Sequence, residues 1–235
     1  MEINKIQPST ILDADQVDEI IHFYAGTYIQ NLVFYNKTRY LKSDFNGNIL
    51  PDEDNYIRTR SLWYADLING MTKEIVPFGK YDINDFHIAQ NYVYFIKITD
   101  KDGDGHLDDD YSNGGEIWRV NRFNNIVEFC FDCKDKFDHF SFETANDDIV
   151  VYRTEDEVTE LIFIDLMNNR IAYLLSSYDN DDNFFDFRFV EDENKNPTHF
   201  LTKKWVSEAE PSSPSHTLNC ITWSDLMNQL DWKTI

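Results

Sequence analysis

The strongest constraint on this chain is a strand-like pattern that recurs along it. A polar residue follows an apolar pair, a second apolar pair comes next, and an asparagine closes the group. The copies are Trp63–Asn69, Trp118–Asn124, Ile162–Asn168 and Thr222–Asn228. Each is followed by a short apolar run: Glu74-Ile75-Val76, Ile126-Val127-Glu128-Phe129, Ile171-Ala172-Tyr173-Leu174 and Leu230-Asp231-Trp232. That order predicts strand, tight turn, strand. A second pattern precedes each copy and alternates polar with apolar residues at the strand period of two. It reads His22-Phe23-Tyr24-Ala25, Asp85-Phe86-His87-Ile88, His139-Phe140-Ser141-Phe142 and Asp186-Phe187-Arg188-Phe189. Between the two patterns lies a third strand candidate: Leu32–Tyr35, Tyr92–Phe95, Ile149–Tyr152 or Thr198–Leu201.

Each repeat therefore holds four short strands. A lone four-stranded sheet cannot bury both of its faces, but a stack of such sheets around an axis does. The expected fold is all-β, a β-propeller of about four four-stranded antiparallel blades. The expected blades run approximately over 22–80, 85–134, 138–178 and 184–235 in a single domain, with 1–20 as an N-terminal extension. Within that extension, Ile3 to Ile6 reads as a closing strand. Ala14 to Ile20 reads as a short helical turn with Asp13 as its cap.

Between the second and third strands of the second repeat lies Asp100-Lys101-Asp102-Gly103-Asp104-Gly105-His106-Leu107-Asp108-Asp109-Asp110. Crowded carboxylates repel one another, and a hard cation on a flexible loop of oxygen ligands removes the repulsion. Asp100, Asp102 and Asp104 stand at the first, third and fifth positions of a calcium loop, and Gly105 stands at its sharp turn. His106 offers its backbone carbonyl at the seventh position and Asp108 stands at the ninth. Tyr111 occupies the twelfth position, where the pattern has a bidentate Glu, so Asp109, Asp110 or water supplies the late ligand. Both flanks read as strands, which makes the ion (Ca2+) a brace within a hairpin and not the trigger of a helix–loop–helix sensor. The competing reading is a solvated acidic turn.

A degenerate copy of the loop runs from Ser43 to Asp54. Asp44, Asn46, Asn48 and Asp52 keep oxygen-bearing side chains there, but Ile49 stands where the first loop has Gly105. The run Asp179–Asn183 is acidic too but lacks the turn glycine, and reads as a solvated linker. The first-strand positions His22, Asp85, His139 and Asp186 alternate His and Asp and would ring the channel of a closed propeller. They hold a ligand there, or simply end four buried strands. Cys130 and Cys133 form a CxxC inside a strand-like run; with only Cys220 as a further cysteine, they read as half-buried free thiols and not as a zinc site.

Charge narrows the partners. There are 21 Lys and Arg against 43 Asp and Glu, a formal net charge of −22. Phosphate binding needs clustered cations, so nucleic acid is excluded and a protein with a basic surface is the expected partner. No apolar run reaches the ~20 residues of a membrane span. Met1–Lys5 lacks the apolar region of a signal peptide, so a cytoplasmic location is expected.

The stretch from Tyr92 through the Asp-rich turn to Ile117-Trp118-Arg119-Val120-Asn121 resembles the WD40-like repeats of TolB-type propellers. That resemblance implies a binding scaffold and supplies no catalytic residues. Nucleophile-elbow, zincin, P-loop and dinucleotide signatures are all missing. The expected function is a non-catalytic, calcium-stabilised protein-interaction module. The alternatives are a propeller-type hydrolase or lyase using His and Asp at the channel mouth, and an acidic inhibitor or immunity protein that masks a basic toxin.

Overall fold

The computed structural model describes residues 17–20, 28–29, 31–50, 56–107, 115–133, 142–155, 159–175, 184–193, 196–206 and 215–235. They form antiparallel sheets that follow one another in chain order. The first holds β1 (Val17–Ile20), β2 (Tyr28–Ile29), β3 (Leu32–Leu41), β4 (Ile57–Asp66) and β5 (Thr72–Val76). The second is the four-stranded meander β6 (Tyr81–Ile88), β7 (Tyr92–Thr99), β8 (Glu116–Asn121) and β9 (Val127–Asp132). The third contains β10 (Phe142–Ala145), β11 (Ile149–Glu155), β12 (Thr159–Asp165) and β13 (Arg170–Leu175). The fourth has β14 (Phe184–Glu191), β15 (Pro197–Val206) and β16 (Ser215–Thr222), then helix α1 (Trp223–Gln229). The chain then returns to the third sheet, where β17 (Lys233–Thr234) pairs with β13. Among the described residues no helix is long and apolar enough to cross a membrane.

Alternate residues of one strand feed different cores, which is why the central strands read as unbroken apolar runs. In β7, Val93 and Phe95 pack with Phe34 and Leu62 of the first sheet. Tyr94, Ile96 and Ile98 point the other way and pack with Val150, Tyr152, Ile162 and Ile164 of the third. The other face of the third sheet gives Ile149, Val151, Leu161 and Phe163 to a core shared with Phe187 and Phe200 of the fourth. Among the described residues three cores thus alternate with four sheets, and β6 lies against β10, which lies against β14.

The recurring pattern maps onto one turn. Asp66, Asn121 and Asp165 each start it, and each side chain accepts a backbone N–H two or three residues on. The turn closes on Gly70, Asn125 and Asn169, at φ of 69°, 59° and 49°. Those values suit glycine and asparagine, which explains the residue after each pattern's final Asn.

Three expectations are corrected. The sheets have five, four, five and three strands among the described residues, not four each. Val17–Ile20 is not a helical turn: it pairs residue by residue with Thr38–Leu41 and belongs to the first sheet. The polar and apolar residues of Val-Asp-Glu-Ile suit an edge strand as well as a helical turn, and an adjacent strand satisfies the backbone. The fourth copy of the pattern is not strand and turn. Trp223–Gln229 is helical, capped by Thr222, whose hydroxyl accepts from the Asp225 N–H. Ile3–Ile6, Asp13, His22–Ala25, His139–Phe140 and Asp179–Asn183 lie outside the described residues.

Candidate functional site

The acidic loop joins β7 to β8, so strands flank it on both sides, as its neighbours predict. Each carboxylate first organises the local backbone. Asp100 accepts from the N–H of Gly103 (2.8 Å) and of Gly105 (2.9 Å). Asp102 accepts from Asp104 N–H at 3.1 Å, and Asp104 from His106 N–H at 2.7 Å. Gly103 and Gly105, at φ of 79° and 95°, bend the chain so that this is possible. One oxygen from each of Asp100, Asp102 and Asp104 then falls within 4.8 Å of the others. Like charges at that separation repel by about 1 kcal/mol per pair even in bulk water. His106 follows on the loop with its side chain exposed, while Asp108, Asp109 and Asp110 lie outside the described residues.

The degenerate loop of the first sheet packs against this one, a contact that sequence reasoning missed. Phe45 N–H donates to Gly105 O at 2.9 Å, and Asn46 Nδ2 donates to Gly103 O at 3.3 Å. A side chain on Gly105 would put its Cβ 2.8 Å from Asn46 Nδ2 and 3.1 Å from the Asp44 carboxylate. Gly105 is therefore needed for its backbone angle and for the close approach of the two loops. Within the first-sheet loop, the Asp44 carboxylate is taken up by Asn48, accepting from its N–H at 2.7 Å and its Nδ2 at 2.6 Å. These bonds hold the Asp44 carboxyl below the usual range, the Asn48 side chain contributing most. The sharp turn there is made by Gly47, at φ 89°, two residues before Ile49. Asn46 and Asn48 thus use their amides as donors, and Asp52 lies outside the described residues. The repeat of Asp-x-Asn-x-Asn against Asp-x-Asp-x-Asp was the only trace of this pairing in the sequence.

Of the ring positions, His22 and His139 lie outside the described residues. Asp85 and Asp186 sit at irregularities of pairing, in β6 between Asn84 and Phe86 and in β14 just after Phe184. The polar groups that do meet on the first strands are His87, Glu143 and Arg188. An Arg188 Nη1 proton is donated to Glu143 Oε1, and His87 Nδ1 lies 3.8 Å from Glu143 Oε2. Phe86, Phe142 and Phe187 precede them, each facing the preceding sheet. Aligning these phenylalanines moves the third repeat by two residues from the spacing drawn in the sequence. A two-residue slip preserves the alternation of faces, so periodicity alone could not expose it.

Burial, and then the charge of Arg188, lower the His87 pKa to about 4. The folded state therefore holds His87 neutral, whereas the unfolded chain takes up a proton near pH 6.5. The resulting stabilisation is complete above about pH 6.5 and is lost as the pH falls toward 4. The full difference corresponds to ~3 kcal/mol. A quarter of the side chain reaches solvent, 25% by area, and screening leaves about 2 kcal/mol. Urea unfolding at about pH 7 and about pH 4.5 is expected to show this loss in the wild type and a smaller one in His87→Gln. Equal losses in the two proteins would place the acid sensitivity elsewhere.

Burial also raises the Cys130 thiol to about 12 and pushes that of buried Cys133 well above its ordinary value. Both thiols therefore stay protonated at neutral pH. No family model matches the chain, and no curated protein matches it. Among solved structures the chain is similar to the acylaminoacyl peptidase of Pyrococcus horikoshii in its orthorhombic crystal form, at 12% sequence identity and a TM-score of 0.46. The likeness covers 88% of this chain and 39% of the peptidase chain. The chain thus spans well under half of that protein, and a likeness this distant transfers neither fold nor activity.

Proposed function

We propose that this chain is a β-propeller-type scaffold, braced by calcium, that binds a protein with a basic surface. The stacking of sheets in chain order, with a core between each neighbouring pair, supports the propeller architecture. The observation that carries the metal reading is the convergence of Asp100, Asp102 and Asp104 on a loop whose glycines dock onto the adjacent sheet. These three carboxylates fit a hard cation, with the His106 carbonyl and Asp108 and Asp110 completing the donor set by sequence. A divalent ion there neutralises the repulsion among the carboxylates. It thereby firms the loop to which Phe45 and Asn46 of the first sheet are bonded. The formal charge of −22 favours a cationic partner through steering and complementarity.

Melting in calcium and in chelator tests the metal. Calcium at a hundredfold excess over its dissociation constant is expected to add ~2.7 kcal/mol. Asp102→Asn combined with Asp104→Asn should remove most of that gain. An unchanged melting curve at millimolar calcium would eliminate the brace. The partner is tested by retention on the immobilised chain at low salt, with release at high salt expected for a basic protein. Retention that ignores salt would refute the electrostatic part.

A further inference from the structure

We infer that the outer edge of the fourth sheet pairs with the same edge of a second copy of the chain, β16 against β16, antiparallel and about a two-fold axis. β16 comes last in its sheet, and among the described residues it pairs only with β15. In each of the other sheets the chain turns and lays one more strand beside the one before it: β5, β9 or β13. After β16 it enters α1 instead, and its last strand, β17, joins β13 of the third sheet. An edge strand presents a row of outward backbone N–H and C=O groups, and the group that satisfies such a row is another extended strand.

The corresponding edges of the other sheets are guarded. β5 carries Lys73 and Glu74, and its pairing with β4 shifts register between Leu62 and Trp63. β9 carries Glu128 and Asp132, and its pairing with β8 shifts between Ile117 and Trp118. β13 is covered in part by β17, a two-residue strand with Lys233. Charge, bulges, cover and shortness are the devices that keep an edge from pairing with another chain. β16 uses none of them. Its residues, Ser-His-Thr-Leu-Asn-Cys-Ile-Thr, include no Asp, Glu, Lys, Arg or Pro, and all 8 pair with β15 without a shift of register. Leu218 is 68% exposed, and Asn219 and Cys220 beside it are exposed too. Charge then selects the second copy. The chain carries −22, but the three strands of the fourth sheet hold Asp186 and Glu191 against Arg188, Lys203 and Lys204, a formal +1. Two copies meet there with the least repulsion, whereas a basic partner finds no carboxylate on this edge. Antiparallel pairing of one strand with itself is two-fold by construction, so it closes as a dimer. The inference does not depend on the chain's binding a basic protein.

Sedimentation of the full chain is expected to show a monomer–dimer equilibrium. Its dissociation constant should fall severalfold from about 0.05 to about 0.5 M salt, as the net charges are screened. Leu218→Lys with Cys220→Lys lowers the net negative charge, yet it should weaken the dimer at least ~10-fold, because the two-fold axis brings the new cations together across the ladder. Leu218→Ser with Cys220→Ser keeps the edge uncharged and should hold the dimer within about threefold of the wild type. Both positions are exposed, so both variants should melt as the wild type does under monomeric conditions. Hydrogen exchange of the amides in Leu218–Thr222 should slow as the wild-type concentration rises, and should not do so in the lysine variant. A chain that stays monomeric at every concentration and salt, a dimer just as tight in the lysine variant, or edge amides protected at every concentration would each overturn the inference. Equal losses in the serine and lysine variants would overturn it too, since side-chain burial and not strand pairing would then hold the dimer. Salt separates this contact from the basic partner: it strengthens the dimer and weakens that complex.

Discussion

Asp82→Asn is expected to destabilise the protein by about 3–5 kcal/mol, measured by urea unfolding. Asp82 on β6 and Arg60 on β4 join the first two sheets, and each side chain is only 4% exposed. The guanidinium donates through Nε to both carboxylate oxygens, at 3.0 and 3.1 Å, and through Nη2 to Oδ2 at 2.6 Å. Asparagine keeps the shape but removes the charge, and its amide turns a donor toward a group that can only donate. Arg60 is then a buried cation without compensation. Arg58, whose Nε lies 3.4 Å from Asp82 Oδ2, adds little because its side chain is 42% exposed. The double replacement Arg60→Leu with Asp82→Leu should recover much of the loss, since a buried pair exchanged for packed apolar groups is often neutral. A loss below ~1 kcal/mol in Asp82→Asn would mean that water reaches the pair.

That ion pair was invisible in the sequence, and the reason is general to this fold. Strands announce themselves locally, so β7, β8, β11 and β12 were legible from their apolar residues. Contacts between sheets join residues whose only relation is that stacking brings them together. Arg60 and Asp82, Asn46 and Gly103, and Glu143 and Arg188 are all of this kind. The acidic loop was readable because its donors lie within a few residues of one another. The docking of the first-sheet loop onto it was not, although that docking gives Gly105 its second role. The cluster of His87, Glu143 and Arg188 was missed for a related reason. The true alignment is set by which face each phenylalanine presents, and faces repeat every two residues.

The helix is the clearest case of context overriding local sequence, and it carries the other large expected effect. Asp165-Leu166-Met167-Asn168 and Asp225-Leu226-Met227-Asn228 share one tetrapeptide. The first is a hairpin turn, the second lies in α1. In the turn, the Asp165 carboxylate accepts from Asn168 N–H at 3.0 Å and from Arg170 Nε at 2.7 Å, which lets β13 start. In the helix, no arginine follows; Thr222 accepts from Asp225 N–H, and Leu226 with Leu230 drops into the core between the third and fourth sheets. Leu226 is 2% exposed, whereas Met167 on the turn is 72% exposed. Leu226→Ala is therefore expected to cost about 3 kcal/mol, from lost transfer energy and a residual cavity. Met167→Ala should fall within about 0.5 kcal/mol of the wild type. Leu226→Ala should also loosen β17, which is held to β13 by the chain leaving α1, and hydrogen exchange at Ile171 would report it. If urea unfolding gives Leu226→Ala and Met167→Ala the same stability, α1 is not what closes that space. The tetrapeptide's two conformations would then need a cause other than burial.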